Sequence, residues 1–205
     1  MSVITISRQF GAGGKTFGRQ LADILGYYYA DEDIIERAVV EAYVSSDGRK
    51  IIESEPGDRL KKFISKLNPF GTSLMELPLS DKERYIDGFH YVELLKLIIP
   101  KIAGDGNAVI VGRGGQYILR DFDDTYHLLL IAQEKDRIKF IEENYRVSTA
   151  RAVQMIKRMD KRRTNLFSYF RKKDYDDPTL YDLVMNMSLV SLDKAQELVC
   201  KLITD

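Results

Sequence analysis

The feature that most constrains this chain is a glycine-rich loop that joins an apolar strand to an amphipathic helix near the amino end. The strand is predicted over residues 3–6, the loop over 10–16 and the helix over 16–25. The glycines allow backbone N–H groups to point into one concavity, and a helix carries partial positive charge at its amino end. The segment therefore indicates a phosphate-binding loop. The alternative interpretation is a glycine-rich turn that holds no ligand.

The rest of the chain alternates short apolar runs with longer amphipathic stretches, which is typical of an α/β fold with a parallel sheet. The runs lie at 27–29, 108–111, 126–131 and 182–187, and helices are predicted over 33–43, 81–102, 135–145, 148–159 and 191–203. A length of 205 residues suits one domain over 1–205. Residues 45–80 are rich in glycine, proline and serine, and we interpret them as an insertion that could move.

Composition excludes several classes of protein. The chain has 31 Lys+Arg against 31 Asp+Glu, and this balance argues against a dedicated duplex-DNA binder. The one cysteine excludes a disulfide framework and a zinc site of several cysteines. No apolar run approaches the roughly 20 residues that span a bilayer, and no basic segment precedes an apolar run at the amino end. We therefore expect a cytoplasmic protein with no membrane partner.

The loop carries side chains suited to the phosphates of ATP. Lys15 can neutralise phosphate oxygens, and the Thr16 hydroxyl can ligate Mg²⁺. The general pattern GxxxxGK[ST] fits Gly14-Lys15-Thr16, but its first glycine would fall on Gln9. The predicted nucleotide-binding residues are consecutive: Gly11, Ala12, Gly13, Gly14, Lys15 and Thr16.

Two further segments follow predicted strands, at the edge where α/β folds bind ligands. Asp31 could accept a proton from a substrate hydroxyl or hold a magnesium-bound water, or it could only cap the next helix. Arg113 follows the strand at 108–111 directly and has glycine on either side. It is placed for a two-pronged grip on a phosphate or carboxylate. The alternative is a turn arginine paired with a structural acid.

Residues 157–173 form a strongly basic stretch, with eight basic residues against one acid, Asp160. Arg158 and Arg162 are four residues apart and share one helix face. Arginines on a mobile segment can close over a transferring phosphoryl group. A solvated face and a nucleic-acid patch are the alternatives.

These segments together resemble the cytidylate-kinase-like branch of the P-loop nucleoside monophosphate kinases. The resemblance spans most of the chain outside 45–80 and is carried by ITISRQFGAGGKTFGRQLADILG, VIVGRG and YDLVMNMSLVSLDKAQELV. It implies a three-layer P-loop NTPase fold with a parallel sheet, a helical lid at 157–173 and a small helical insertion near the acceptor. The spacing from Asp31 to Arg37 is similar to an aspartate and an arginine of cytidylate kinases, in which the arginine grips the acceptor phosphate.

The chain departs from that family pattern at two places. Cytidylate kinases usually have an aspartate after the arginine that corresponds to Arg113, and this aspartate helps to read the acceptor nucleoside; here the residue is Gly114. When the family's GAGK is aligned to Gly11-Ala12-Gly13, the lysine falls on Gly14 and Lys15 comes one residue late.

We therefore expect phosphoryl transfer from ATP–Mg²⁺ to a small acceptor, foremost a nucleoside monophosphate. Lys15, Asp31, Arg158 and Arg162 are the predicted catalytic residues, while Asp31 would bind the acceptor together with Arg37 and Arg113. A kinase of a non-nucleotide small molecule and a non-catalytic nucleotide-binding regulatory module stay open. Nucleic acid is the least favoured partner. Apolar residues within 45–80 would suit an interface between copies of the chain.

Overall fold

The computed structural model describes residues 2–44 and 88–204. Its sheet has five strands in the order β2-β3-β1-β4-β5, and every neighbouring pair is parallel. The predicted α/β fold with a parallel sheet is confirmed. The strands are β1 (Val3–Arg8), β2 (Tyr28–Ala30), β3 (Ala108–Val111), β4 (Thr125–Ile131) and β5 (Leu183–Asn186).

Helices alternate with these strands along the described residues. They are α1 (Gly14–Leu25), α2 (Glu32–Val44), α3 (Gly88–Gly104), α4 (Gly115–Ile118), α5 (Glu134–Tyr145), α6 (Thr149–Tyr169) and α7 (Leu192–Thr204), with one turn of 3₁₀ helix at Pro178–Leu180. Ser148 caps α6, because its side chain accepts a hydrogen bond from the Arg151 N–H. Gly26 ends α1 in the left-handed conformation (φ 67°).

Several boundaries differ from the sequence prediction, and three of them bear on the site. β1 continues past residue 6 to Arg8, and α1 begins at Gly14 instead of residue 16. The helix predicted to end near residue 159 continues to Tyr169, because the basic stretch forms further turns that keep Phe167 buried. The predicted insertion at 45–80 and the first part of the helix predicted at 81–102 lie outside the described residues.

Apolar residues pack on both faces of the sheet. One cluster joins the sheet to α2 and α3, and it includes the fully buried Ile35, Leu95 and Ile98. The other joins the sheet to α1 and α7 through Phe17 and Val199. Helices therefore cover the sheet on both sides, as in a three-layer fold. No helix within 2–44 or 88–204 is long and apolar enough to cross a membrane.

The sheet register brings the ends of several strands to one edge. Ile6 of β1 lies beside Val111 of β3, and Ala30 of β2 lies beside Ile110. The turns that follow these strands therefore meet at the carboxyl edge of the sheet, where parallel α/β folds bind ligands.

Candidate active site

The loop between β1 and α1 has the backbone shape of a phosphate cradle. Gly11 and Gly13 have positive φ angles of 87° and 78°, a region that glycine enters without steric cost. Gly13 is the residue before α1, so the amino end of the helix follows the loop directly. A Cβ atom on Gly11 would lie 3.0 Å from the Cβ of Arg137, which leaves little room there for a side chain. The loop thus suits backbone contacts to an anion.

A cleft of about 360 Å³ opens beside this loop, between the carboxyl edge of the sheet and helices α3 and α6. Its charged lining consists of four arginines and two glutamates: Arg8, Arg113, Arg162, Arg163, Glu32 and Glu36. Aromatic side chains complete the wall, among them Tyr91, Phe167 and Tyr169. An excess of two positive charges in a partly enclosed cleft favours an anionic ligand.

Glu32, the first residue of α2, contacts three of the basic side chains near the cleft. Its carboxylate accepts a hydrogen bond from Arg8 at 2.7 Å, and it lies 3.7 Å from Arg113 and 3.4 Å from the Lys15 ammonium. Burial by itself would raise the pKa of Glu32. The charges of Arg8, then Arg113 and Lys15, outweigh that effect and lower the pKa to about 2. The glutamate is thus ionised and holds the basic groups in fixed positions.

Lys15 lies on the first turn of α1 and faces the acidic start of α2. Its ammonium is 2.6 Å from the Asp33 carboxylate and 3.8 Å from that of Asp31. Burial would lower the pKa of Lys15, but the hydrogen bond to Asp33 and the nearby carboxylates together raise it. Thr16 is exposed beside it. Lys15 therefore remains a cation, at the rim of the site.

Asp31 adopts the capping role that the sequence left as one of two alternatives. Its Oδ1 accepts hydrogen bonds from the N–H groups of Asp33 and Ile34, both at 3.1 Å, and the side chain is buried. This geometry satisfies the amino end of α2. Its predicted part in catalysis stays a prediction. Arg37 is half-buried on α2 and is not among the residues that line the cleft.

Arg113 sits where the sequence places it, directly after β3. It has a positive φ of 59°, donates to Glu36 at 2.5 Å and is 13% exposed. Its buried Nε has no hydrogen-bond partner among the described residues, and neither does the buried hydroxyl of Tyr91. Buried polar atoms are rarely left without partners. These two atoms lie in the cleft wall and are suited to a ligand.

The arginines of α6 divide into two groups. Arg162 lines the cleft, whereas Arg158 is exposed one turn earlier and does not line it. Arg163, which the sequence analysis did not single out, donates to the Ser7 hydroxyl at 3.0 Å and to Asp176 at 2.6 Å. The α6 residues that line the cleft all lie in the carboxyl half of the helix, from Met159 to Tyr169. The roles predicted for Arg158 and Arg162 stay predictions.

Arg137 of α5 connects the loop to α6. Its Nε donates to the Phe10 carbonyl at 2.7 Å, and its Nη2 donates to both oxygens of Asp160 at 2.7 and 2.8 Å. No sequence signal singles out Arg137, since it lies in an ordinary amphipathic helix. Through this side chain the conformation of the loop depends on the placement of α6.

Gly114, at which the sequence departs from the pattern that the resemblance implies, has no space for a side chain. Its φ is 78°, and a Cβ atom there would lie 2.7 Å from the ring of Phe170. The ring therefore covers the position from which an aspartate would project. The glycine at this position therefore allows α4 to pack against the end of α6.

Gly114→Ala should lower the free energy of unfolding by about 2 kcal/mol, because alanine is strained at positive φ and its methyl group must displace the Phe170 ring. Gly104→Ala is the matched control: a Cβ there meets no atom within 4 Å. We expect the control to change stability by less than about 1 kcal/mol in urea denaturation. Equal effects at the two sites would contradict the packing described for Gly114.

Comparisons with known proteins agree with this architecture. Residues 3–189 match the cytidylate kinase-like family. One similar structure is an uncharacterized protein from Eubacterium ventriosum, with a TM-score of 0.68, 18% identity and coverage of 100% of this chain and 99% of that one. A shikimate kinase from Acinetobacter baumannii in complex with shikimate has a TM-score of 0.51 and 12% identity, over 100% and 93% of the two chains. A search of curated proteins finds no match.

The parallel sheet, the loop after β1 and the helices on both faces define a P-loop kinase fold. The chain belongs to the cytidylate kinase-like family.

Proposed function

We propose that this protein transfers a phosphoryl group from ATP to a small anionic acceptor held in the arginine-lined cleft. The observation that carries the proposal is the convergence of four arginines beside a glycine loop at the carboxyl edge of the sheet. Phosphoryl transfer requires little covalent chemistry from a protein; it requires position and neutralised charge. A cleft of this composition supplies both.

The residues present fit an ATP–Mg²⁺ donor. The backbone of Gly11, Ala12, Gly13 and Gly14 would face the donor phosphates, and the loop geometry that allows this is the pair of positive φ angles. Thr16 is exposed on the first turn of α1, and its part as a magnesium ligand stays a prediction from the register that puts the lysine at position 15. When bound, magnesium neutralises charge that develops on the phosphate oxygens.

The acceptor would lie against Arg113 and the wall formed by α3 and α6. The Nε of Arg113 and the hydroxyl of Tyr91, which have no partner within 2–44 and 88–204, offer hydrogen-bond donors to a phosphate or carboxylate. Arg162 and Arg163 approach from α6, so movement of the segment 157–173 as a lid would bring them over the transferred group and keep water out. Arg37 of α2 does not line the cleft, and its predicted grip on the acceptor phosphate stays a prediction.

A nucleoside monophosphate is the acceptor class that we propose, since it matches the charge of the cleft and the family. One observation favours a second candidate, a phosphorylated or carboxylated acceptor that is not a nucleotide. Phe170 covers Gly114, so the aspartate that would help to read a cytidine base has no place here.

The proposal is tested by steady-state ADP release from ATP–Mg²⁺ with CMP, UMP, AMP and GMP in turn. Stimulation by one of them supports the nucleotide acceptor. Stimulation only by phosphorylated or carboxylated compounds without a base supports the second candidate. ATP binding without release of ADP in the presence of any acceptor would contradict a kinase and favour a regulatory module.

Arg113→Gln should raise the KM for the acceptor about 10- to 100-fold, because it removes a charge-assisted hydrogen bond. The affinity for ATP should change less than about threefold, since Arg113 follows β3 and not the loop. Steady-state kinetics with varied acceptor and equilibrium binding of ATP measure the two effects. A loss of ATP affinity with an unchanged acceptor KM would contradict the placement of the acceptor.

A further inference from the structure

The two registers of the phosphate-binding pattern place different residues at its two defining positions. With the lysine of GxxxxGK at position 15, the first glycine falls on Gln9. With the lysine at position 14, the first glycine falls on Arg8 and the lysine on Gly14. In the second register the two residue types are exchanged: the cation stands at the first position and the glycine at the second.

The geometry of the loop favours the second register. Gly14 is the first residue of α1, and a Cβ atom on it would lie 2.6 Å from Cγ and 2.9 Å from Cβ of Arg8. A lysine at position 14 would therefore need the space that the stem of Arg8 fills. The large side chain of Arg8 therefore packs against the glycine at position 14. In the general pattern the sizes are reversed, with glycine at the first position and the large lysine at the second.

The guanidinium of Arg8 continues from this contact into the cleft. Its Nη1 approaches Gly112, where a Cβ atom would lie only 2.6 Å away, and its Nη2 donates to Glu32 at 2.7 Å. Arg8 lines the cleft and its side chain is 19% exposed. A guanidinium has five donors, so the bond to Glu32 leaves others for phosphate oxygens.

Lys15 is directed elsewhere. Its ammonium pairs with Asp33, whose side chain is 61% exposed, and Lys15 is not among the residues that line the cleft. Its contacts hold the first turn of α1 to the start of α2. Lys15 thus serves the arrangement of the two helices.

We propose that Arg8, from the end of β1, supplies the positive charge on the donor phosphates that the loop lysine supplies in the general pattern. The inference rests on the proposed use of ATP. It names the residue that neutralises the negative charge of the ATP phosphates. An arginine anchored in a strand would grip two phosphate oxygens at once, whereas a lysine acts as a point charge.

The test is equilibrium binding of ATP–Mg²⁺ and of inorganic triphosphate, measured by calorimetry on the full chain. Arg8→Gln should weaken both about 30- to 100-fold, the usual loss for a hydrogen-bonded charge on an anion. Lys15→Gln should weaken them less than about fivefold. Arg120→Gln is the matched control, an exposed arginine outside the cleft, and should leave both affinities unchanged.

The exchange variant Arg8→Gly with Gly14→Lys gives the sharpest outcome. Because it restores glycine and lysine at the two positions of the pattern, it should recover binding to within about tenfold of the unmodified chain. If Arg8→Gln does not fold, Arg8→Gln with Glu32→Gln removes both members of the ion pair and should show the same loss of affinity.

Three results would overturn the assignment. A large loss with Lys15→Gln and none with Arg8→Gln would return the role to the loop lysine. Failure of the exchange variant to bind better than Arg8→Gln would contradict the exchange. If the unmodified chain binds neither ATP nor triphosphate, the proposed function fails and the assignment fails with it.

Discussion

Arg137→Met is expected to lower the free energy of unfolding by about 3 kcal/mol. Methionine keeps most of the volume of the side chain, so the loss reports the polar contacts and not a cavity. The Phe10 carbonyl loses the hydrogen bond from Nε, and Asp160 loses its guanidinium partner. Because Asp160 is 42% exposed, water screens that ion pair, and we assign most of the effect to the carbonyl.

Urea denaturation at neutral pH measures this effect. Lys139→Met on the same helix is the matched control, since Lys139 is 72% exposed and lies 3.9 Å from Glu143 in a surface pair. It should change stability by less than about 0.5 kcal/mol. A loss below about 1 kcal/mol in Arg137→Met would show that α5 and the loop are held together by other contacts.

Glu32→Gln is expected to lower the free energy of unfolding by about 3 kcal/mol at pH 7 and to flatten its dependence on pH below 5. The pKa of Glu32 is about 2 in the folded chain against an ordinary value of 4.5. A lowered pKa contributes stability above pH 4.5, and that contribution is lost as the pH falls towards 2. A shift of this size corresponds to about 3 kcal/mol.

The measurement is urea denaturation of the unmodified chain and of Glu32→Gln at several pH values from 7 to 3. The difference between the two proteins should shrink steadily below pH 5. Glu143→Gln serves as the control because Glu143 is 64% exposed and pairs only loosely with Lys139. A difference that stays constant down to pH 3 would show that the charge of Glu32 does not contribute.

The fold could be predicted because its signals are local. Buried parallel strands are short apolar runs, and the glycine loop marks the passage from a strand to a helix. The position of Arg113 followed from the same logic, since a residue directly after a buried strand must lie at the carboxyl edge of the sheet.

The remaining parts of the site depend on packing that the sequence does not show. No motif marks Arg8 as a functional residue in the sequence, and only the close contact with Gly14 reveals where its side chain goes. Arg137 carries no motif, because its partners are a backbone carbonyl and a carboxylate on another helix. The helix was predicted only to residue 159 and the basic stretch as a lid, and a charge run does not tell which arginines face the cleft.

Gly114 is a second case in which packing decides what the sequence alone does not show. The sequence showed that the aspartate is missing, whereas the structure shows why it cannot be restored by one substitution. A positive φ and an aromatic ring at 2.7 Å both oppose a side chain at that position.

The most direct test of phosphoryl transfer is to follow the γ-phosphate itself. The protein is incubated with Mg²⁺ and ATP labelled at the γ-position, with one acceptor at a time, and the products are separated. The account predicts that the label moves to an anionic acceptor, and that Arg113→Gln slows this transfer. Label that appears only as inorganic phosphate, or that stays in ATP with every acceptor, would contradict it.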